Sequence, residues 1–302
     1  MEPFPTMVLL ATDGSDDARL AERAVIDLCA RSGALLHVAH AWMYVTVGAY
    51  PHPVSAPIEV YQRFQEDAEA VLTASVERIG AAGGVVAGRH LRLGSPAGQI
   101  AALADELDAD LIVIGSRGLG PIQRLVLGSV STALVHDASR PTLVLRGDAH
   151  AWPPLRVVVG ADGSAAACRA TECGAALGRS YNAAVTLARV VPELSRPRWY
   201  EAGERVALEQ RQDQALDRAR QALAESARHL LAEGGGEPET VALAGDAAPL
   251  LLELAEADPT PTLLAIGSRS LGPLDRLRLG SVSNTLLHAA HGPILIVPGK
   301  RD

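Results

Sequence analysis

The sequence predicts an α/β fold: two tandem Rossmann-like domains, each a five-stranded parallel sheet with helices on both faces. Three observations predict it. First, one glycine-serine segment is written twice, GSRGLGPIQRLVLGSVS from Gly115 to Ser131 and GSRSLGPLDRLRLGSVS from Gly267 to Ser283. Second, the offset between the copies is nearly constant. Asp13-Gly14-Ser15 recurs 149 residues on as Asp162-Gly163-Ser164, Gly94 recurs as Gly245 after 151, and Gly115 and Gly128 recur as Gly267 and Gly280 after 152. So small a drift is a loop indel or two, and both halves therefore share one fold. Third, apolar runs alternate with amphipathic stretches, while 48% hydrophobic residues with only 3% aromatic leave Ala, Val, Leu and Ile to build the core. That composition suits strands covered on both faces by helices.

The elements follow in the same order in each half. Met7 to Thr12 is a short apolar strand ending at Asp13; Asp16 to Arg31 has the i, i+3, i+4 apolar spacing of a helix; Ala34 to Ala41 is a second strand. A helix over Ile58 to Ala82, a strand near Val85 to Leu93, a helix from Pro96 to Leu107 and a strand Leu111 to Ile114 lead to the glycine loop. A last helix, Ser129 to Ala138, precedes a strand Thr142 to Leu145. The second half repeats this with strands Arg156 to Gly160, Ala184 to Val190, Glu239 to Leu243, Leu263 to Ile266 and Ile294 to Val297. Glu204 to Leu231, rich in Ala, Glu, Gln and Arg, reads as a long amphipathic helix with a solvated face. A chain of 302 residues fits two domains of about 150 each. Their junction is expected near Gly147 to Pro154, with a first domain over 1–147, a linker over 148–153 and a second domain over 154–302.

Composition excludes several functions. A formal net charge of −8 argues against a nucleic-acid binder, which needs a basic surface to neutralise phosphates. Lys300 is the only lysine, so a P-loop with its lysine is impossible. Cys29, Cys168 and Cys173 have no metal-ligand spacing and are odd in number, which reads as reduced thiols. No apolar run reaches the roughly 18 residues that a membrane helix needs, and the start lacks a basic segment before an apolar one. The expectation is a soluble cytoplasmic protein without membrane or nucleic-acid partners.

The glycine loop and the Asp-Gly-Ser turn both fall at the carboxyl edge of a predicted parallel sheet, where ligands of such sheets bind. Glycines let backbone approach a ligand without a Cβ, and the N–H groups of a helix starting at Ser129 face an anion. Phosphate would be held by dipoles rather than by lysine, with Arg117 and Arg124 close enough in sequence to add charge. The same residues also suit a left-handed turn followed by a capped helix with no ligand at all.

GxxGxxxxxxxxxGS after an apolar strand, with Asp-Gly-Ser after the first strand, resembles the universal stress protein family. The first half matches at Gly115, Gly118, Gly128 and Ser129, with nine residues between Gly118 and Gly128, and the resemblance covers nearly the whole chain as a tandem two-domain member. It implies a fold that binds ATP in many members and no nucleotide in others. Carried over, Asp13 faces the ribose or adenine and Val38 offers its backbone to the base. Gly115 and Gly118 approach the phosphates or ribose, and Gly128, Ser129 and Val130 hold the phosphate tail. In the second half Asp162, Val190, Gly267, Gly280, Ser281 and Val282 take these places, but Ser270 stands where the first half has Gly118. A serine there would cost about 1 kcal/mol if that backbone is left-handed.

Other residues have plainer readings. His136 and His288 recur near the end of the last helix, where an imidazole stabilises terminal carbonyls. His37 and His40 share a strand with no carboxylate partner at ligand spacing. The irregular segment Trp42 to Pro57 suits a lid over a nucleotide or a surface connection equally.

Three functions remain. The leading one is an ATP-binding stress protein whose nucleotide, with Mg2+ as a candidate counter-ion, shifts its association with other, unknown protein partners. The second is a slow ATPase, for which no catalytic base or second carboxylate is evident; Asp275 corresponds to Gln123 in the first copy. The third is an interaction module without nucleotide. The resemblance further implies that the two domains pair through their last strands, Thr142 to Leu145 and Ile294 to Val297, with a homodimer of the whole chain as a further option.

Overall fold

The computed structural model describes residues 4–43, 58–116, 128–137, 139–147, 151–194, 202–232, 234–268 and 280–299, without the side chains of 58–59 and 202–205. Gly118, Arg117, Arg124, Ser270, Asp275 and the segment 44–57 lie outside them. The chain divides into two compact units, Pro3–Ala149 and His150–Asp302.

The first unit runs β1 (Met7–Ala11), α1 (Asp16–Ser32), β2 (Leu35–Trp42), α2 (Ile58–Ala81), β3 (Val86–Leu93), α3 (Pro96–Glu106), β4 (Leu111–Gly115), α4 (Ser129–Asp137), β5 (Thr142–Leu145). Its strands lie in the order β3-β2-β1-β4-β5 and every pair is parallel. The second unit runs β6 (Arg156–Gly160), α5 (Ala165–Tyr181), β7 (Ala184–Val191), α6 (Ala202–Ala232), β8 (Glu239–Ala244), α7 (Ala247–Glu256), β9 (Thr262–Gly267), α8 (Ser281–Ala289), β10 (Ile294–Val297). Its order is β10-β9-β6-β7-β8, again all parallel. Each unit is thus a doubly wound, five-stranded Rossmann-like sheet. From the central strand the chain steps outward twice, then returns to the other side, which opens a crevice between the carboxyl ends of β1 and β4, and of β6 and β9.

The central strands are aliphatic because they are covered twice. Val8, Leu9, Leu10, Ile112 and Val113 are fully buried in the first unit, as are Val157, Val158, Val159 and Leu263 in the second. Each such side chain contributes about 1.5–3 kcal/mol through burial. Helices α1 and α5 start the same way. Gly14 and Gly163 turn the chain with φ of +77° and +88°, and the hydroxyls of Ser15 and Ser164 accept from Ala18 N–H at 3.2 Å and Ala167 N–H at 3.1 Å. Both helices end on a left-handed residue, Gly33 and Asn182. Asp16 and Asp17 in the first turn of α1 and Arg31 in its last complement the helix dipole.

One buried ionic cluster ties the first unit together. Glu22 of α1 is 4% exposed. Its carboxylate accepts from Arg78 Nε at 2.9 Å and Nη2 at 2.7 Å, from the Ser75 hydroxyl at 2.6 Å and from the Thr12 hydroxyl at 3.4 Å. The hydrogen bonds to Glu22 hold the Arg78 guanidinium above its usual pKa. On the outer strands His37 Nδ1 and His90 Nε2 lie 2.9 Å apart with their rings stacked. Burial first, then the neighbouring His37, pushes the His90 pKa down.

Candidate functional site

The site is assembled at the carboxyl edge of each sheet by two pieces of local structure. The first is the turn after the central strand. Asp13 Oδ1 accepts the Ser15 N–H at 3.0 Å and Asp162 Oδ1 accepts the Ser164 N–H at 2.8 Å. This Asx turn uses one carboxylate oxygen, and neither Oδ2 has a hydrogen-bond partner among the described residues. Asp13 is half-buried and Asp162 exposed, so each carboxylate is held in place and reachable.

The second piece is the neck of the glycine loop. Gly128 N–H donates to the Ser116 carbonyl at 2.8 Å, and the buried Ser131 hydroxyl lies 2.9 Å from that carbonyl and 3.0 Å from the Gly128 carbonyl. The second unit repeats this: Gly280 N–H to the Ser268 carbonyl at 2.7 Å, with the Ser283 hydroxyl 3.1 Å and 3.0 Å from the Ser268 and Gly280 carbonyls. The two ends of the loop are therefore pinned together where the strand stops and the helix begins. Ser116 and Ser268 are fixed in turn by N–H bonds of 2.8 Å to Leu145 and Val297 carbonyls. Gly280 caps α8 without a side-chain hydrogen bond, and Ser281 and Val282 beyond it are exposed. Exposed first-turn amides beside a glycine cap suit an anion. Ser129 and Val130 occupy the same positions at the start of α4.

Gly115 and Gly267 have a steric reason of their own. A Cβ on Gly115 would lie 2.6 Å from the Asp17 carbonyl carbon, and one on Gly267 would lie 2.7 Å from the Ala166 carbonyl carbon and the Ala167 nitrogen. The first turn of the preceding helix packs directly on the end of the strand, and only glycine admits it.

In the second unit the described residues enclose a cleft of about 100 Å³ lined by Asp162, Val190, Gly267, Gly280 and Val282. Five of the six residues expected there thus share one cavity, and Ser281 lies between two of its lining residues. In the first unit Asp13, Gly115, Gly128, Ser129 and Val130 occupy the matching turn, strand end and neck, and Gly118 lies outside the described residues.

One pairing needs correction. Val38 and Val190 are not equivalent, because β1 and β6 set the register: Ala11 faces Ala39, whereas Gly160 faces Ala188. Counting from there, Val190 corresponds to Ala41 and Val38 to Leu187. Val38 is fully buried, while Val190 is half-buried and lines the cleft. Strands buried on both faces lack an alternating pattern that would fix their phase. Sequence reasoning also passed over Ser131 and Ser283, although GSVS is repeated in both copies. It passed over Asp17 too, a 9% exposed carboxylate that accepts from the Ser116 hydroxyl at 2.5 Å and is replaced by Ala166 in the second unit. Among the described residues no group of three His, Cys, Asp or Glu side chains is placed to hold a metal ion.

Similarity to known proteins runs the length of the chain. The universal stress protein family model matches twice, over residues 6–146 and 155–298. A universal stress protein of Mycolicibacterium smegmatis is 31% identical over 196 residues, an alignment covering 63% of this chain and 62% of that protein. The crystal structure of a universal stress protein from Archaeoglobus fulgidus superposes with a TM-score of 0.71 at 22% identity, covering 98% of this chain and 99% of that one. A functionally unknown protein from Pseudomonas aeruginosa gives a TM-score of 0.67 at 14% identity, covering 98% and 93%. At these identities the two structures establish the fold.

Proposed function

The chain belongs to the universal stress protein family, with one copy of the family domain in each half, and from that premise we propose that it binds an adenine nucleotide, ATP foremost, at the sheet edge of each unit. The observation that carries the reading is the repetition of the Asx turn and the pinned loop neck at both edges, with hydrogen bonds matching to within a few tenths of an ångström. Asp13 and Asp162 offer a carboxylate oxygen to ribose or base. The strand backbone borders the base at Val190 in the second unit and, in the first, at Val38 or at Ala41, which the register pairs with Val190. The starts of α4 and α8, through Gly128, Ser129 and Val130 and through Gly280, Ser281 and Val282, supply amides to the phosphate tail. Gly118 is the further residue that the family resemblance assigns to the first site, with Ser270 in its place in the second copy. Lys300 is the only lysine in the sequence, and charge on the phosphates is met by these dipoles, by arginine, and by Mg2+ when it accompanies the nucleotide. Occupancy would favour one arrangement of the protein over another and so shift its association with partners.

A second reading has an observation behind it. Gly115 and Gly267 are demanded by helix packing, and Asp13 and Asp162 already serve turns, so the fold alone accounts for four of the motif residues. In that case the chain is an interaction module without nucleotide. Titration of the purified chain with ATP by calorimetry separates the two. The nucleotide reading expects about two sites per chain. Gly128→Val and Gly280→Val, each placing a branched side chain at a loop neck, should each remove about one site. Gly280 has φ of −63°, open to valine, so that variant should stay folded. Absence of binding by the unaltered chain would leave the interaction module.

A further inference from the structure

On the α5/α6 side of the second unit lies a cavity of about 320 Å³, distinct from the nucleotide cleft. Successive strand residues point to opposite faces, so Ala188 and Val190 border the cleft while Arg189 enters this cavity. Its size is that of a small-molecule site. Comparison of the two units shows what it contains.

The Asp-Gly-Ser turns equate Thr12 with Ala161 and Glu22 with Thr171, and the β1–β2 and β6–β7 registers equate His40 with Arg189. Helices α2 and α6 align through buried Ala68, Leu72 and Ile79 against Ala219, Leu223 and Leu230. Their ends agree: Gly84 N–H donates to Ile79 and Gly235 N–H to Leu230. Val71 therefore becomes Ala222, Ser75 becomes Ser226 and Arg78 becomes His229. In the first unit this volume is filled by the Glu22 carboxylate with Arg78, Ser75 and Thr12, and by Val71, whose Cγ1 would lie 3.4 Å from a Cβ on Gly14. In the second, three of those side chains have shrunk to Ala161, Thr171 and Ala222. The carboxylate is gone, but its surroundings keep their polarity: Ser226 remains, an imidazole at His229 stands where the Arg78 guanidinium was, and Arg189 adds a cation. The Arg189 guanidinium lies over Gly163, with Nη1 3.2 Å from where a Cβ would stand, and no acidic side chain pairs with it among the described residues. Leu223 at 1% exposure and Thr171 at 7% form the buried part, and the exposed Glu225 and Cys168 also line the cavity.

We propose that this cavity binds a small carboxylate with an apolar body, whose carboxylate takes the place that the Glu22 side chain holds in the first unit. Arg189 meets it with a charge-assisted pair of donors, and Ala161, Ala222 and Leu223 cover the apolar body; the Thr171 and Ser226 hydroxyls line the cavity while donating to the Ala167 and Ala222 carbonyls at 2.9 Å and 3.2 Å. The cavity shares the lining residues Ala161 and Ala167 with the cleft, but Arg189, Thr171 and Ser226 line this cavity alone.

The test is calorimetric titration of the full chain with hexanoate and with hexanamide, its uncharged counterpart. Saturable hexanoate binding is expected, with hexanamide at least about tenfold weaker and Arg189→Gln weakening hexanoate by a similar factor. Thr171→Glu, which returns the missing carboxylate from within, should abolish hexanoate binding. If that variant does not fold, Arg189→Gln and the amide comparison decide alone. No saturable binding below about 10 mM, equal affinity for acid and amide, or hexanoate affinity unchanged by Arg189→Gln would overturn the proposal.

Discussion

Gly115 and Gly267 show how one residue can serve packing and a site together. The steric demand on Gly115 comes from backbone, with a would-be Cβ 2.6 Å from the Asp17 carbonyl carbon, and backbone cannot swing aside as a side chain can. Gly115→Ala is therefore expected to lower unfolding stability by about 1–3 kcal/mol, read by denaturant titration, with or without nucleotide. A variant as stable as the parent would show that α1 has room to move. Cys29 behaves differently from the exposed Cys168. Burial pushes its thiol from 9.0 to about 11, because the low-dielectric surroundings disfavour thiolate. At pH 8 an alkylating reagent should therefore label Cys168 well before Cys29, as mass spectrometry of the peptides would reveal. The same shift has a consequence for stability. The folded chain holds this proton more tightly than the unfolded chain, so the contribution is complete below pH 9.0 and is lost as pH rises toward about 11. Cys29→Ala should flatten that part of the stability curve.

At the scale of elements, the Glu22 cluster joins α1, α2 and the end of β1, and its partners are far apart in sequence. Arg78→Ala would strand a carboxylate that is 4% exposed, at a cost of about 2–3 kcal/mol. Adding Glu22→Thr to that variant, and so importing the residue of the second unit, should recover part of the loss; a double mutant no more stable than Arg78→Ala would contradict this account of the cluster. Nothing in the sequence exposes the cluster, since 56 residues separate Glu22 from Arg78 and each reads alone as a solvated helix charge. The helix starts, by contrast, were legible, because Ser15 and Ser164 sit where capping chemistry requires them and glycine follows Asp at a left-handed turn. The strands were legible as apolar runs, but their phase was not. Val38 was matched to Val190 although the register places Ala41 there, for an all-aliphatic strand looks the same after a shift of a few residues. The need for Gly115 was visible as a motif, whereas its cause, the helix turn packed on it, appears only in three dimensions.

The whole molecule is two copies of one family domain that have diverged in their side chains more than in their backbones. Turns, necks and strand orders are retained. The differences gather where Glu22, Asp17 and Val71 of one unit face Thr171, Ala166 and Ala222 of the other. No helix among the described residues is long and apolar enough to cross a membrane. The proposed binding of an adenine nucleotide at both sheet edges depends on the two copies being equivalent at their necks. Denaturing freshly purified chain and quantifying the released nucleotide by chromatography tests it most directly. ATP or a related adenine nucleotide is expected to approach about two per chain, falling to about one when Gly128→Val closes the first site. A chain that releases none, and takes up none when ATP is added back, would contradict it.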